Sequence, residues 1–439
     1  MRRALRLWPA PSTNGTTRPI EARGSRGAPS GVTVLLASLL ISTVATAQAA
    51  VRRGQSSGRA VAPPPLGTAQ ARANALLEEG VALQQEGQTG AAIAKFRQAI
   101  QANPNWARAY VALGGALDRA HNLAGAMAEY REALRLNPDD ALAHLDLGIA
   151  LRRQGHIGLA LNELAKAVDF APQSATVHNE FGLALALDGA FHTSVQQFRI
   201  AVMLKPNWPA ARNNLGNALS LYGHLHQAVE QYRRTITLAP HWAEPHNNLG
   251  NALRDLGNTA GAIAEYQQAI HLDPHYAAAY NNLGLTLKMK GDLDGAIDDY
   301  QKAVRLKPNY TAARSNLAAA YFQKHEWQLA VEQYRDVLRV SPRMASGHFN
   351  LGLALEAAGH RHAALGEYQE AMKLSPQISL YRQQYQRLAQ ELSAASRAPA
   401  KPLTPAPAAP QPTVQKPVRR RRRAPHLLRR LLRRPLPPN

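Results

Sequence analysis

The sequence predicts an all-α solenoid: nine 34-residue helix-turn-helix repeats from 73 to 378, followed by a capping helix. Three observations carry that reading. Prolines recur at a fixed spacing of 34 (Pro104, Pro138, Pro172, Pro206, Pro240, Pro274, Pro308, Pro342 and Pro376), with no insertion or deletion. A fixed period of this size marks stacked supersecondary units. With each proline set as position 32, two columns admit only small residues: position 8 (Gly80, Gly114, Gly148, Gly182, Gly216, Gly250, Gly284, Ala318, Gly352) and position 20 (Ala92, with Ser194 the one departure from Ala). Position 24 is aromatic from Phe96 to Tyr368, except for Leu164.

Within a unit, positions 4, 7, 8 and 11 share one helical face, as Tyr280, Leu283, Gly284 and Leu287 do. A second helix carries positions 20, 24 and 27. Between the two, position 15 is glycine in seven units (Gly87, Gly155, Gly189, Gly223, Gly257, Gly291, Gly359), which suits the left-handed residue that closes a helix. The proline then stops the second helix, since it lacks an N–H and disfavours helical geometry in the residue before it. Small residues at 8 and 20 let the helices approach closely, and the ring at 24 fills the space beside them.

This pattern resembles the tetratricopeptide repeat family, whose signature is small residues at 8, 20 and 27, an aromatic at 24 and proline at 32. It covers about 306 of 439 residues. The resemblance implies a right-handed superhelix with a concave groove, and a protein-binding role; packing defines the family, so it names no partner.

The remaining segments follow in chain order. Residues 1–50 are a basic lead ending in the apolar run 32–47 and an Ala-rich site, the form of a secretory signal peptide, so export to the periplasm or cell envelope and a mature start near Ala49 to Val51 are expected. The run is marginal for a membrane span, which leaves an uncleaved anchor as the alternative. Residues 51–72, with Pro63, Pro64 and Pro65, read as a flexible linker. Residues 379–393 continue helically, with Tyr381, Tyr385, Leu388 and Leu392 on one stripe, and form the capping helix. Residues 394–439 are Pro/Ala-rich and then Arg-rich, a composition that cannot bury a core.

Net charge is +21, but residues 1–72 carry +9 and residues 394–439 carry +12, so the array itself is neutral. Arguments from basicity therefore apply to the ends only. Arg419, Arg420, Arg421, Arg422, Arg423, Arg429, Arg430, Arg433 and Arg434 make the tail a candidate for an anionic membrane surface or a polyanion; a solubilising end is the plain alternative.

No catalytic chemistry is legible. The chain has no cysteine, which excludes thiolate nucleophiles and Cys-ligated metals. It has no phosphate-binding glycine loop, nucleophile elbow or H-E-x-x-H. The pairs His224/His226 and His360/His362 lack a third ligand at metal spacing, and His144, His178, His246 and His348 fall at position 4, where packing is expected. No cofactor, metal or small-molecule substrate is expected, and no enzymatic activity.

The informative column is position 6, which reads Asn214, Asn248, Asn282, Asn316 and Asn350 in five successive repeats. Asn179, Asn213, Asn247 and Asn281 adjoin it at position 5, and Asn217 and Asn251 at position 9. Asparagine is up to ~0.7 kcal/mol worse than alanine in a helix, so a column of five requires a compensating interaction. Two readings compete. The amides bond one another, or they bind the backbone of extended polypeptide, whose groups match an amide's paired donor and acceptor. The run Asn213 to Leu219 is similar to repeats of the O-linked N-acetylglucosamine transferase family, which implies the second reading; the glycosyltransferase domain of that family has no counterpart here.

Overall fold

In the computed structural model, which describes residues 69–397, every regular element is a helix. The order begins α1 (Ala69–Gln85), α2 (Thr89–Ala102), α3 (Ala107–Arg119), α4 (Leu123–Leu136), α5 (Ala141–Arg153) and α6 (Ile157–Phe170). It continues with α7 (Ala175–Asp188), α8 (Phe191–Leu204), α9 (Pro209–Leu221), α10 (Leu225–Leu238), α11 (Ala243–Asp255) and α12 (Thr259–Leu272). The last are α13 (Ala277–Lys290), α14 (Leu293–Leu306), α15 (Thr311–Gln323), α16 (Trp327–Val340), α17 (Ala345–Ala357), α18 (Arg361–Leu374) and α19 (Ser379–Arg397). Helices α1 to α18 pack as consecutive pairs, each pair then contacting the next, which is the arrangement of a helical solenoid. Packing divides the chain into a unit through Ala389 and a second from Gln390, whose described part is the end of α19.

The turn inside each pair is left-handed at position 15, as glycine there predicts. In two units the same backbone is held by histidine, His121 at φ 60° and His325 at φ 63°. The reason is the closing pattern itself. His121 N bonds to Asp118 O and Asn122 N to Leu117 O, capping the last carbonyls of α3, and the geometry persists whatever residue supplies it. The second helices start on side-chain caps where the residue allows: Asn122, Asn258 and Asp292 accept from the backbone N–H of Gly125, Gly261 and Gly295.

Positions 8 and 24 interlock. A Cβ built on Gly216 would stand 2.6 Å from Tyr232 Cε1, and one on Gly250 the same distance from Tyr266. Tyr232 has nowhere to move, because the ring is fully buried and its hydroxyl donates to Asn217 Oδ1 at 2.7 Å. Gly216→Leu is therefore expected to destabilise by ~1–3 kcal/mol through overpacking. Coupling passes mainly between neighbours, so hydrogen exchange should accelerate in α9 and α10 first, with distant helices protected as before. Unchanged exchange in those two helices would show the contact to be slack.

The cap runs to Arg397, four residues past its expected end at 393 and into the segment expected to carry no regular structure. Tyr381 and Leu388 are buried and Tyr385 is half-buried, while Arg382, Gln383 and Gln386 face solvent. Phe349 stacks its ring 4.8 Å from that of Tyr381, and Arg387 donates to both oxygens of Glu356. The Arg-rich segment from Arg419 to Arg434, the apolar run 32–47 and the linker lie outside the described residues.

Candidate functional site

The first helices of successive pairs adjoin, so a position-6 side chain meets the preceding repeat as well as its own surroundings. The result is a ladder with a fixed offset of 35 residues. Asn214 Nδ2 donates to Asn179 Oδ1 at 3.0 Å, Asn248 to Asn213 at 3.3 Å, Asn282 to Asn247 at 2.9 Å and Asn316 to Asn281 at 2.9 Å. Within a repeat, position 5 donates to position 6, Asn247 to Asn248 at 3.4 Å and Asn281 to Asn282 at 3.3 Å. Position 6, read from the sequence as available to the backbone of a bound polypeptide, is covered for most of the column. Viewed as an isolated helix it points away from the packing stripe, but the adjoining first helix covers it, and Asn214, Asn248 and Asn282 are all buried.

Followed through its donors, one chain of bonds runs from Asn316 through Asn281, Asn282, Asn247, Asn248 and Asn213 to the carboxylate of Glu244, which Asn213 reaches at 3.0 Å. Such chains polarise in one direction and strengthen cooperatively. A shorter branch joins Asn214 to Asn179 and, through Asn179 Nδ2, to Glu180 at 3.2 Å. Glu180 also pairs with Arg152 at 2.7 Å, and both side chains are nearly inaccessible, an ion pair below the amide ladder.

Asn217 and Asn251, at position 9, serve the rings, and Asn217 Oδ1 also accepts from Asn248 Nδ2 of the ladder at 3.1 Å. They accept hydroxyl protons from Tyr232 at 2.7 Å and Tyr266 at 2.8 Å. Burial pushes the Tyr266 phenol up to about 12 and Tyr232 well above its ordinary value, so both remain donors. Asn350 stands apart, with no side-chain hydrogen bond among the described residues.

The position-4 histidines do more than pack. His144, His178 and His348 place Nε2 on the carbonyl of the preceding repeat proline, at 2.7, 2.9 and 3.0 Å, and Nδ1 on Glu163, Gln197 and Glu367 of their own second helix. Tyr110, Arg212, Arg314 and Arg382 donate to the same carbonyl in other repeats. Among the described residues no group of three His, Cys, Asp or Glu side chains is placed to hold a metal ion.

Sequence reasoning passed over Glu244, Arg152 and Glu180. The available signal was a carboxylate at position 2 beside amides, and acids at position 6 in the repeats before the asparagines begin. Glu244 is half-buried on the ladder face, and burial raises its carboxyl to about 7 against the opposing bonds from Asn213 and Asn248. Folded Glu244 thus holds its proton more tightly than the unfolded chain does. Its contribution is most favourable at low pH and is lost as pH rises from about 4.5 to about 7. Glu244→Gln should remove that slope, so the variant should gain on the parent in melting temperature as pH increases through this window. Parallel curves for the two proteins would contradict the assignment.

These features define a class, an all-helical tandem-repeat solenoid whose first helices share a polar face. Tetratricopeptide repeat profiles match residues 277–310, and 145–212 with 315–377; a further TPR repeat profile matches 122–155 and 250–291. The chain belongs to the tetratricopeptide repeat family. Solved structures similar to it include the MamA protein, 26% identical over 40% of this chain and 96% of that one with a TM-score of 0.34. The APC/C hetero-tetramer Cut9-Hcn1 aligns at 16% identity over 74% of this chain and 78% of that one, TM-score 0.46. YrrB, described as a TPR protein with an unusual peptide-binding site, aligns at 21% over 42% and 95%, TM-score 0.35. No curated protein matches the chain.

Proposed function

We propose that this chain is an exported scaffold that binds extended polypeptide segments along the asparagine-bearing face of its first helices. One observation carries the reading: carboxamides recur in register on one face, a single repeat apart, from Asn214 to Asn350, and the column that is buried at Asn214, Asn248 and Asn282 is half-buried at Asn316 and Asn350. An amide presents a donor and an acceptor together, which is what a peptide unit requires and what a side-chain-specific site would not repeat unchanged. The likeness of Asn213 to Leu219 to the repeats of the O-linked N-acetylglucosamine transferases supports it. Export rests on the basic lead and the apolar run 32–47, and protein recovered from its host should begin near Ala49.

A second reading places binding in Arg419 to Arg434, on the strength of their charge. Fluorescence anisotropy separates the two. Unstructured, uncharged 12-residue peptides are titrated against the full chain and against the chain ending at residue 393. Binding that survives the deletion supports the helical face; binding lost with the tail, or seen only with anionic vesicles, overturns it.

A further inference from the structure

We infer that the edge of the array formed by its last three repeat junctions lies against an anionic membrane surface. Each second helix ends at position 30, and positions 31 to 34 carry the chain into the next first helix or into the cap. Position 30 is apolar in every repeat. At the later junctions it stays open to solvent, with Leu306 37% and Val340 44% exposed. Leu374 is half-buried, but Ile378, at position 34 of the same junction, is 37% exposed.

The apolar column runs the length of the array, so charge is what sets these junctions apart. Between positions 29 and 34 the seventh carries Arg305 and Lys307, the eighth Arg339 and Arg343, and the ninth Lys373, with no acid in any of them. The second, third and sixth carry Asp139 and Asp140, Asp169, and Asp273 in the same window. Helix polarity accounts for Arg305, Arg339 and Lys373, which sit in the last turns of α14, α16 and α18, where a cation is favoured. It does not account for Arg343, just ahead of α17, where a cation meets the positive end of the helix dipole. Ion pairing does not account for it either. Arg305 and Arg343 are exposed and have no acidic partner among the described residues. The acids that reach this edge are already engaged, Asp336 by Arg314 at 2.7 Å and Arg339 at 2.5 Å, and Glu370 by Lys373 at 2.7 Å.

Cations beside exposed aliphatic side chains, repeated at neighbouring junctions, fit a bilayer surface. Aliphatic groups enter the boundary between headgroups and acyl chains, while arginine and lysine lay their stems along the apolar part and reach lipid phosphates. A nucleic acid offers phosphates but nothing to bury Val340 or Ile378, and single strands bind on aromatic platforms. Tyr310, the aromatic residue of the seventh junction, is half-buried with the Lys307 ammonium 5.5 Å over its ring. Attachment of this kind uses neither the asparagine face nor Arg419 to Arg434.

The chain has no cysteine, so single reporter thiols can be placed in the full-length protein. Val340→Cys and Gln328→Cys put an environment-sensitive fluorophore at exposed positions near the two ends of α16, about 18 Å apart. On vesicles of three parts phosphatidylcholine to one part phosphatidylglycerol, nitroxide-bearing lipids should quench the label at 340 and leave the label at 328 unaffected. Arg305→Gln and Arg343→Gln should each weaken vesicle partitioning by up to about fivefold, with the melting temperature unchanged. Val340→Asn should weaken it too, and high salt should erase the arginine effects while sparing this one. Equal quenching at both labels, or partitioning indifferent to all three substitutions, overturns the inference and assigns vesicle binding to the tail. A DNA duplex bound with the same dependence on Arg305 and Arg343, while the label at 340 stays unquenched on vesicles, overturns it in favour of a soluble polyanion. Peptide titration of the same variants reads the proposed function separately, and none of the three substitutions should change it.

Discussion

Glu180→Ala should destabilise the array by about 3–5 kcal/mol, the largest single-residue effect expected here. Arg152 is 5% exposed and donates to Glu180 at 2.7 Å, so truncating the acid leaves a guanidinium out of water without the carboxylate it faces. Asn179 loses the acceptor of its Nδ2 in the same stroke. The decisive companion is the double substitution Arg152→Met with Glu180→Leu, which removes both charges and is expected to come near the parent, because a buried pair contributes little beyond its own desolvation. Urea melts of the three proteins check this. A single variant as stable as the parent would mean that water reaches the pair.

The second large effect belongs to the ladder. Replacing Asn214, Asn248, Asn282, Asn316 and Asn350 together by alanine removes the donors to Asn179, Asn213, Asn247 and Asn281, all of them buried. Each stranded oxygen costs ~1–3 kcal/mol, against a gain of up to ~0.7 kcal/mol in helix propensity per site. The sum is several kcal/mol of lost stability. A reading in which position 6 pairs only with itself predicts the opposite sign, since alanine would then delete both members of each bond. Because the bonds join position 6 to position 5 of the preceding repeat, paired removal of Asn214 with Asn179 should recover part of the loss. Thermal melts of the quintuple and paired variants decide between them, and a more stable quintuple variant would contradict the ladder.

How much of this was legible depended on whether the cause lay within one repeat. The proline period and the small and aromatic columns act inside a unit, and their consequences, such as Gly216 beneath Tyr232, could be read directly. The burial of Asn214 and Asn248 could not, because a helical wheel treats its helix as solitary, and the covering surface comes from residues 35 positions away. The joint presence of asparagine at positions 5 and 6 was the trace of it. Position 4 escaped for another reason: tyrosine, histidine and arginine share no composition class, only the ability to donate to a carbonyl.

That shared act has a consequence for how such a chain can change. The acceptor at seven of the nine junctions is main chain, the carbonyl of a proline six residues earlier, and main chain is the same in every repeat. A junction sealed in this way needs no matched side chain on the other side. Repeats can therefore be duplicated, deleted or exchanged without the new neighbours having been selected together, and a lineage or an engineer lengthening the array has to carry only a donor at the fourth position. The asparagine ladder has the reverse property. Each rung requires two particular residues in two repeats, so a shuffled repeat would break it, and the ladder records which repeats have remained adjacent.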